Sequence, residues 1–193
     1  MANDRLHPRH LTPADYRVMP WRNGGGTTTE IAIAPEGSAL AGERFLYRVS
    51  IADVATDGPF SRFEGYDRHI MLLAGAGMTL DCGAHGRIEL ASPFEPRAFS
   101  GDWNVHGTLV AGAVRDFNLI TDRERVTASL EVQVLEQPQT ISCELGVVCI
   151  VHVLEGALAG AEAGDTLVAE GPFALTPLGT TRIALARMTA TVQ

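Results

Sequence analysis

Two stretches, Ile70–Leu80 (IMLLAGAGMTL) and Cys149–Gly160 (CIVHVLEGALAG), follow one plan: an apolar run reaches a glycine, Gly75 or Gly156, and resumes as a second strand. A Pro-Phe pair then follows each, Pro93-Phe94 and Pro172-Phe173, eighteen and sixteen residues beyond the glycine. The chain reads as a duplication of one β-unit. If so, the two Pro-Phe pairs fall on equivalent elements, and the charged run DRERVT at Asp122–Thr127 separates the copies.

Working outward, short apolar or alternating runs between Gly and Pro turns predict further strands at Phe45–Val54, His69–Ala74, Met78–Cys82, Arg87–Leu90 and Thr108–Thr121. In the second half they fall at Ser129–Leu135, Val147–Leu154, Asp165–Ala169 and Ile183–Met188. Helical periodicity is scarce; TPADYR reads as one turn capped by Thr12 with Pro13 first. Each copy resembles half of the cupin pattern, so the expected fold is all-β: a bicupin, two jelly-roll cupin-like β-barrels packed in one compact chain. The expected boundaries are 15–121 for the N-terminal barrel and 122–193 for the C-terminal one, within a bicupin spanning 1–193.

At 193 residues and 46% hydrophobic content the chain has enough apolar surface to fold without staples. Cys82, Cys143 and Cys149 form no CxxC pair, which argues against a disulfide framework or zinc knuckle and for buried small side chains. The first residues lack the apolar core of a signal peptide and no run reaches the ~20 apolar residues of a membrane span, so a cytoplasmic protein is expected. A formal charge of −8 repels nucleic acid and anionic membranes, so neither is an expected partner. A homodimer is compatible with the sequence. An acidic protein that binds an anion must do so in a local pocket of arginine, the one strong cation here, since the chain has no lysine.

The stretch WRNGGGTTTEI, Trp21–Ile31, is not a phosphate loop, because no lysine follows its glycines, nor a dinucleotide fingerprint, because Thr29 stands where the third glycine belongs. It reads as a loop feeding a strand in which Thr27, Thr29, Ile31 and Ile33 share one parity. The glycines permit a tight bend or a close approach of backbone to a ligand or another strand. Trp21 and Asn23 are then candidates for the mouth of the first barrel, joined by Thr27 or Thr29, with Arg22 on the alternate side.

In FLYRVSIADV, Arg48 and Ser50 share one face of a largely apolar strand. Arg68 follows Asp67 at the mouth of another, among Phe60, Phe63 and Tyr66. It either grips a carboxylate ligand through its planar fork or forms a structural ion pair with Asp67 or Glu64. Asp116 and Asn118 share a strand face, where they can orient a ligand or neutralise Arg48 or Arg68. His7, His10, His69, His85, His106 and His152 are scattered, with no two at i,i+2, so no metal and no cofactor are expected.

WRNGGGTTTEI, YRVSIADVATDGPFSRFEGYDRHIMLLAGAGMTL (Tyr47–Leu80) and DFNLIT (Asp116–Thr121), in that order and spacing, resemble the HutD/Ves family along essentially the whole chain. The matching motif residues are Trp21, Arg22, Asn23, Gly24, Gly25, Thr27 and Glu30, then Arg48, Ser50, Phe60, Ser61, Phe63, Gly65 and Arg68, and finally Asp116, Phe117 and Asn118. Glu64 stands where the family carries a proline, an extra negative charge expected near Arg68. The resemblance implies a bicupin without the usual metal ligands. It further implies a protein whose genes often accompany histidine utilization, and which binds a small carboxylate such as urocanate or formylglutamate to restrain that pathway.

Three functions remain open on the sequence. One is a carboxylate-binding sensor or governor. A second is a metal-free isomerase or hydrolase of an amino-acid derivative, with Glu30 or Asp116 as general acid or base. The third is an interaction protein whose pocket is filled by side chains. Fold does not decide among them.

Overall fold

The computed structural model describes residues 7–38 and 42–191. In the first part of the chain the strands are β1 (Arg9–Leu11), β2 (Arg17–Pro20), β3 (Gly26–Ala34), β4 (Tyr47–Val54), β5 (Gly58–Pro59), β6 (Tyr66–Ala74), β7 (Met78–Asp81), β8 (Arg87–Leu90), β9 (Arg97–Ser100), β10 (His106–Leu109) and β11 (Val114–Asp122). There follow β12 (Val126–Leu135), β13 (Gln139–Ile141), β14 (Val147–Glu155), β15 (Ala157–Leu158), β16 (Ala161–Glu162), β17 (Thr166–Ala169), β18 (Phe173–Leu175) and β19 (Thr181–Ala190). The fold is all-β. Pro13–Asp15 form a single 3-10 turn, closed as expected at Thr12, whose N–H and hydroxyl both donate to the Asp15 carboxylate, at 2.8 and 2.9 Å. Among the described residues no helix is long and apolar enough to cross a membrane.

Arg17–Arg125 form one compact unit. Its larger sheet has the order β2-β3-β4-β11-β6-β9 and its smaller β5-β10-β7-β8, all neighbours antiparallel. Ile70, Leu72, Leu80, Leu90, Phe99 and Val114 join one buried cluster of its core. The described residues up to Tyr16 belong with those from Val126 onward in a second unit, built on the sheet β1-β17-β14-β19-β12 and the ribbons β13-β18 and β15-β16. The expected C-terminal barrel thus lacked a strand, because β1 pairs with β17. Three residues are too few to show an alternation. The single strand expected over Thr108–Thr121 is two, β10 and β11, separated by a turn with Gly112 at φ +67°.

Strand pairing makes the duplication concrete. β4-β11-β6-β9 in one unit has the same connectivity as β12-β19-β14-β17 in the other. β6 and β14 each carry a register shift, leaving Leu73 and Leu154 unpaired opposite β11 and β19. Gly75 and Gly156 follow at φ +106° and +79°. A Cβ on either would stand 2.8 Å from Ala113 O or 2.7 Å from Thr180 O, in each case just before the partner strand, so only glycine fits. The Pro-Phe correspondence fails, however. Pro93-Phe94 precedes β9, whereas Pro172-Phe173 follows β17, the counterpart of β9. Similar spacing arose from hairpins of different length on opposite sides of that strand.

Candidate functional site

Antiparallel register aligns side chains of β3, β4, β11 and β6 in rows. Thr28, Ala52, Asp116 and Leu72 form one; Glu30, Ser50, Asn118 and Ile70 the next; Ile33, Arg48, Ile120 and Arg68 the third. Arg48 and Arg68 stand two strands apart, roughly 10 Å between backbones at the usual strand spacing. Both reach a cavity of about 490 Å³ inside the Arg17–Arg125 unit, shared with Ser50, Asp116, Asn118, Trp21 and Phe60.

Arg68 is 5% exposed. Its Nη2 donates to Asn118 Oδ1 at 2.7 Å and its Nη1 to the Ser61 carbonyl at 3.2 Å. The guanidinium carbon lies 5.3, 5.5 and 4.9 Å from the ring centres of Phe60, Phe63 and Phe99, a cage that holds the cation through its quadrupoles while excluding water. Burial pulls its pKa down to about 10, against the opposing pull of Asp116, so it stays charged at neutral pH. Its Nε has no hydrogen-bond partner. The structural ion pairs considered for it do not form. Asp67 accepts from Arg123 at 2.7 Å, and Glu64 is exposed and pairs with Arg62 at 3.2 Å, so its charge does not oppose Arg68 within the cavity.

Asn118 uses both ends of its amide: Oδ1 accepts from Arg68, and Nδ2 donates to Asp116 Oδ1. Asp116 is fully buried and its Oδ2 has no partner. Burial raises its pKa to about 7, outweighing the lowering by Arg68 and by the Asn118 hydrogen bond.

Arg48 is fixed differently. Its Nε donates to Glu30 Oε2 at 2.8 Å, and Arg17 holds the other Glu30 oxygen at 3.1 Å. Glu30 is therefore a carboxylate shared by two arginines, and it is not among the residues that line the cavity.

The glycine run answers to Trp21. A Cβ on Gly26 would lie 2.2 Å from Asp53 O and 3.0 Å from the indole ring, so the bare backbone lets the ring lie flush against β3. The indole N–H donates to Thr28 Oγ1 at 2.8 Å, fixing the apolar wall. Asn23 Oδ1 accepts from the Gly25 N–H at 3.0 Å, closing the bend, while the residue lines the mouth. Two expectations are corrected. Thr28, not Thr27, lines the cavity, because Thr28 pairs with Ala52 on the face of Arg48 and Ser50, whereas Thr27 pairs with Asp53 on the other. Arg22, expected on the alternate side, also lines the mouth, though exposed. Phe99 in the cage was missed, since β9 is four residues following Glu95-Pro96 and shows little alternation.

Among its described residues the second unit does not repeat these side chains. Counting from the paired bulges at Leu73 and Leu154, the positions matching Arg68, Asp116 and Asn118 are Cys149, Ile183 and Leu185. All three are buried in an apolar core with Val151, Val153 and Phe173. The same framework thus closes well on apolar side chains. A buried charge is commonly no more stabilising than an apolar residue of similar volume, so the polar group in the first unit is not explained by folding. Among the described residues, no three His, Cys, Asp or Glu side chains gather with metal-ligating geometry.

Fold and site together define a bicupin whose N-terminal unit holds an arginine-lined pocket. The chain belongs to the HutD family, whose model matches residues 13–190. It is 46% identical over 121 residues to an uncharacterized 21.2 kDa protein in the hutC 3′ region of Pseudomonas putida, covering 63% of this chain and 62% of that protein. It is 37% identical to protein Ves of Cronobacter sakazakii over 147 residues, 74% of this chain and 76% of that one. Among solved structures it is similar to HutD of Pseudomonas fluorescens SBW25, in a formate condition, with TM-score 0.79, 34% identity and coverage of 96% and 100%.

Proposed function

We propose that the chain binds a small carboxylate metabolite in the Arg48–Arg68 pocket and acts as a sensor or governor of histidine utilization. The observation that carries the reading is Arg68: a buried cation of the cavity lining held by neutral partners, Asn118 and the Ser61 carbonyl, with an Nε that has no hydrogen-bond partner. A guanidinium in that setting is strongly attractive to an anion that supplies two oxygens. Arg48, with Glu30 shared between it and Arg17, adds positive potential from β4, two strands away in the same sheet. The about 490 Å³ cavity has the size usual for small-molecule sites, and Trp21 and Phe60 offer apolar surface to a ligand body. The link to histidine utilization is supported by family membership and by the hutC-region relative.

A thermal-shift screen of urocanate, N-formylglutamate, formate, histidine and glutamate tests this, since a ligand that binds only the folded state raises its melting temperature. Stabilisation by the carboxylates is the expected result, and no shift with any of them at millimolar concentration contradicts it.

A second reading is favoured by one observation: Asp116 lines the cavity with a pKa near 7, the value suited to a general acid or base at neutral pH. Chromatographic detection of product from urocanate or N-formylglutamate, lost on Asp116→Asn, would select it over simple binding.

A further inference from the structure

Asp116 has an arrangement that a permanently ionised carboxylate does not explain. It is fully buried, one oxygen is occupied by Asn118, and the other has no hydrogen-bond partner and belongs to a residue of the cavity wall. Arg68, the cation whose charge acts on it, spends its Nη2 on Asn118 rather than on the carboxylate. An ionised carboxylate without a direct ion pair is costly there; a protonated one requires an acceptor for its O–H.

We propose that the pocket takes up a carboxylate ligand together with a proton, which Asp116 carries on Oδ2 and donates to one ligand oxygen while the arginines hold the anion's charge. This rests on the carboxylate-pocket reading above and deepens it. The balance is simple: an anionic ligand and one solvent proton enter, no covalent bond to carbon changes, and the Asp116 O–H becomes the donor of a hydrogen bond to the carboxylate. With Asp116 ionised, two carboxylates would face each other in a dry site, so ionisation opposes binding and the bound anion in turn favours protonation.

The other acidic groups around Asp116 each have a partner of their own. Glu30 on β3 is held by Arg17 and Arg48, and Asp53 on β4 pairs with Arg115 of β11 at 3.2 Å. Asp57 at the mouth accepts from the Leu109 N–H, and Arg22 lines the mouth. His69 of β6 lies beside Arg68 in sequence but on the other parity, paired with Leu119, and burial lowers its pKa. No histidine is among the cavity residues.

The test is calorimetric titration of the wild-type chain with sodium formate and with N-formylglutamate, whose own carboxyls stay ionised from pH 6 to 9. At each pH it is repeated in buffers of different ionisation heat. The expected result at pH 8 is uptake of close to one proton per ligand, falling to a small fraction at pH 6, with affinity dropping about tenfold per pH unit above pH 8. Asp116→Asn can keep the geometry, accepting from Asn118 and presenting an N–H where the acid presents its O–H; its binding should be flat across this range and free of proton uptake. Wild-type binding that is flat from pH 6 to 9 with no buffer dependence overturns the proton and leaves the carboxylate pocket standing. Proton uptake that persists in a folded Asp116→Asn variant overturns the assignment to Asp116. Failure of both probes to bind at any pH overturns the pocket and the proton together.

Discussion

Arg68 and Asp116 are joined through a single side chain: Asn118 accepts from the guanidinium at 2.7 Å through Oδ1 and donates to the carboxylate through Nδ2. The amide cannot turn over without losing both bonds, so its orientation is fixed from two sides. Cation, amide and acid thus form one unit across β6 and β11, and the effects of changing its members should not be additive.

Asp116 makes stability depend on pH. Its folded pKa, about 7, is above the ordinary 3.8, so between those values the folded chain holds a proton that the unfolded chain has released. Stability from this group is therefore fully present below about pH 4, falls as pH rises towards 7, and is flat above. Asp116→Asn removes the buried charge and should be more stable than wild type at pH 8, on the order of 2 kcal/mol, with the difference shrinking at pH 5. Urea denaturation at the two pH values measures it; equal differences at both would contradict the assignment.

Gly26→Ala is predicted to damage the mouth of the pocket. The new methyl collides with Asp53 O, a backbone atom that β3–β4 pairing holds in place, and with the Trp21 ring. Overpacking of this kind costs about 1–3 kcal/mol. Tryptophan fluorescence should report a displaced Trp21, and carboxylate affinity should fall with it. Gly24→Ala, where open space surrounds the Cβ but φ is +70°, should show strain without the fluorescence change.

Arg123 separates structural from binding arginines. It donates to Asp67, Asp102, Ser100 and the Tyr66 carbonyl, tying β6 to the turn after β9 and to the end of β11. With the Gly65 N–H and Ser100 it holds Asp102 down to a pKa of about 2, the backbone bond being the largest cause. Stability from Asp102 is present above about pH 4 and lost as pH falls towards 2. Arg123→Ala should lower the melting temperature at neutral pH yet leave carboxylate affinity unchanged; reduced affinity in a folded variant would contradict this division.

Much of the architecture was legible because both halves keep one pattern, an apolar strand broken at a leucine bulge and a glycine whose Cβ has no room. Arg48, Ser50, Asp116 and Asn118 were legible as polar residues on one parity of apolar strands. What alternation could not supply was register: nothing in the threonine run relates its parity to that of β4, and so Thr27 or Thr29 was expected where Thr28 is inside. Short strands such as β1 and β9 carry too little period to be read. The Pro-Phe pairs misled because loop length, unlike strand packing, is free to differ between copies.

Arg68 and Arg48 are expected to bind the ligand carboxylate, and calorimetric titration of Arg68→Ala, Arg68→Lys and Arg48→Ala with N-formylglutamate at pH 6.5 decides it. Truncating one member of a buried, hydrogen-bonded charge pair costs roughly 2–5 kcal/mol, and each ~1.4 kcal/mol is tenfold in affinity. The account predicts at least about tenfold weaker binding for each alanine variant. Arg68→Lys should recover only part of the loss, because an ammonium lacks the planar fork that Asn118 and the phenylalanine cage hold in place. Wild-type affinity in both folded alanine variants would contradict it.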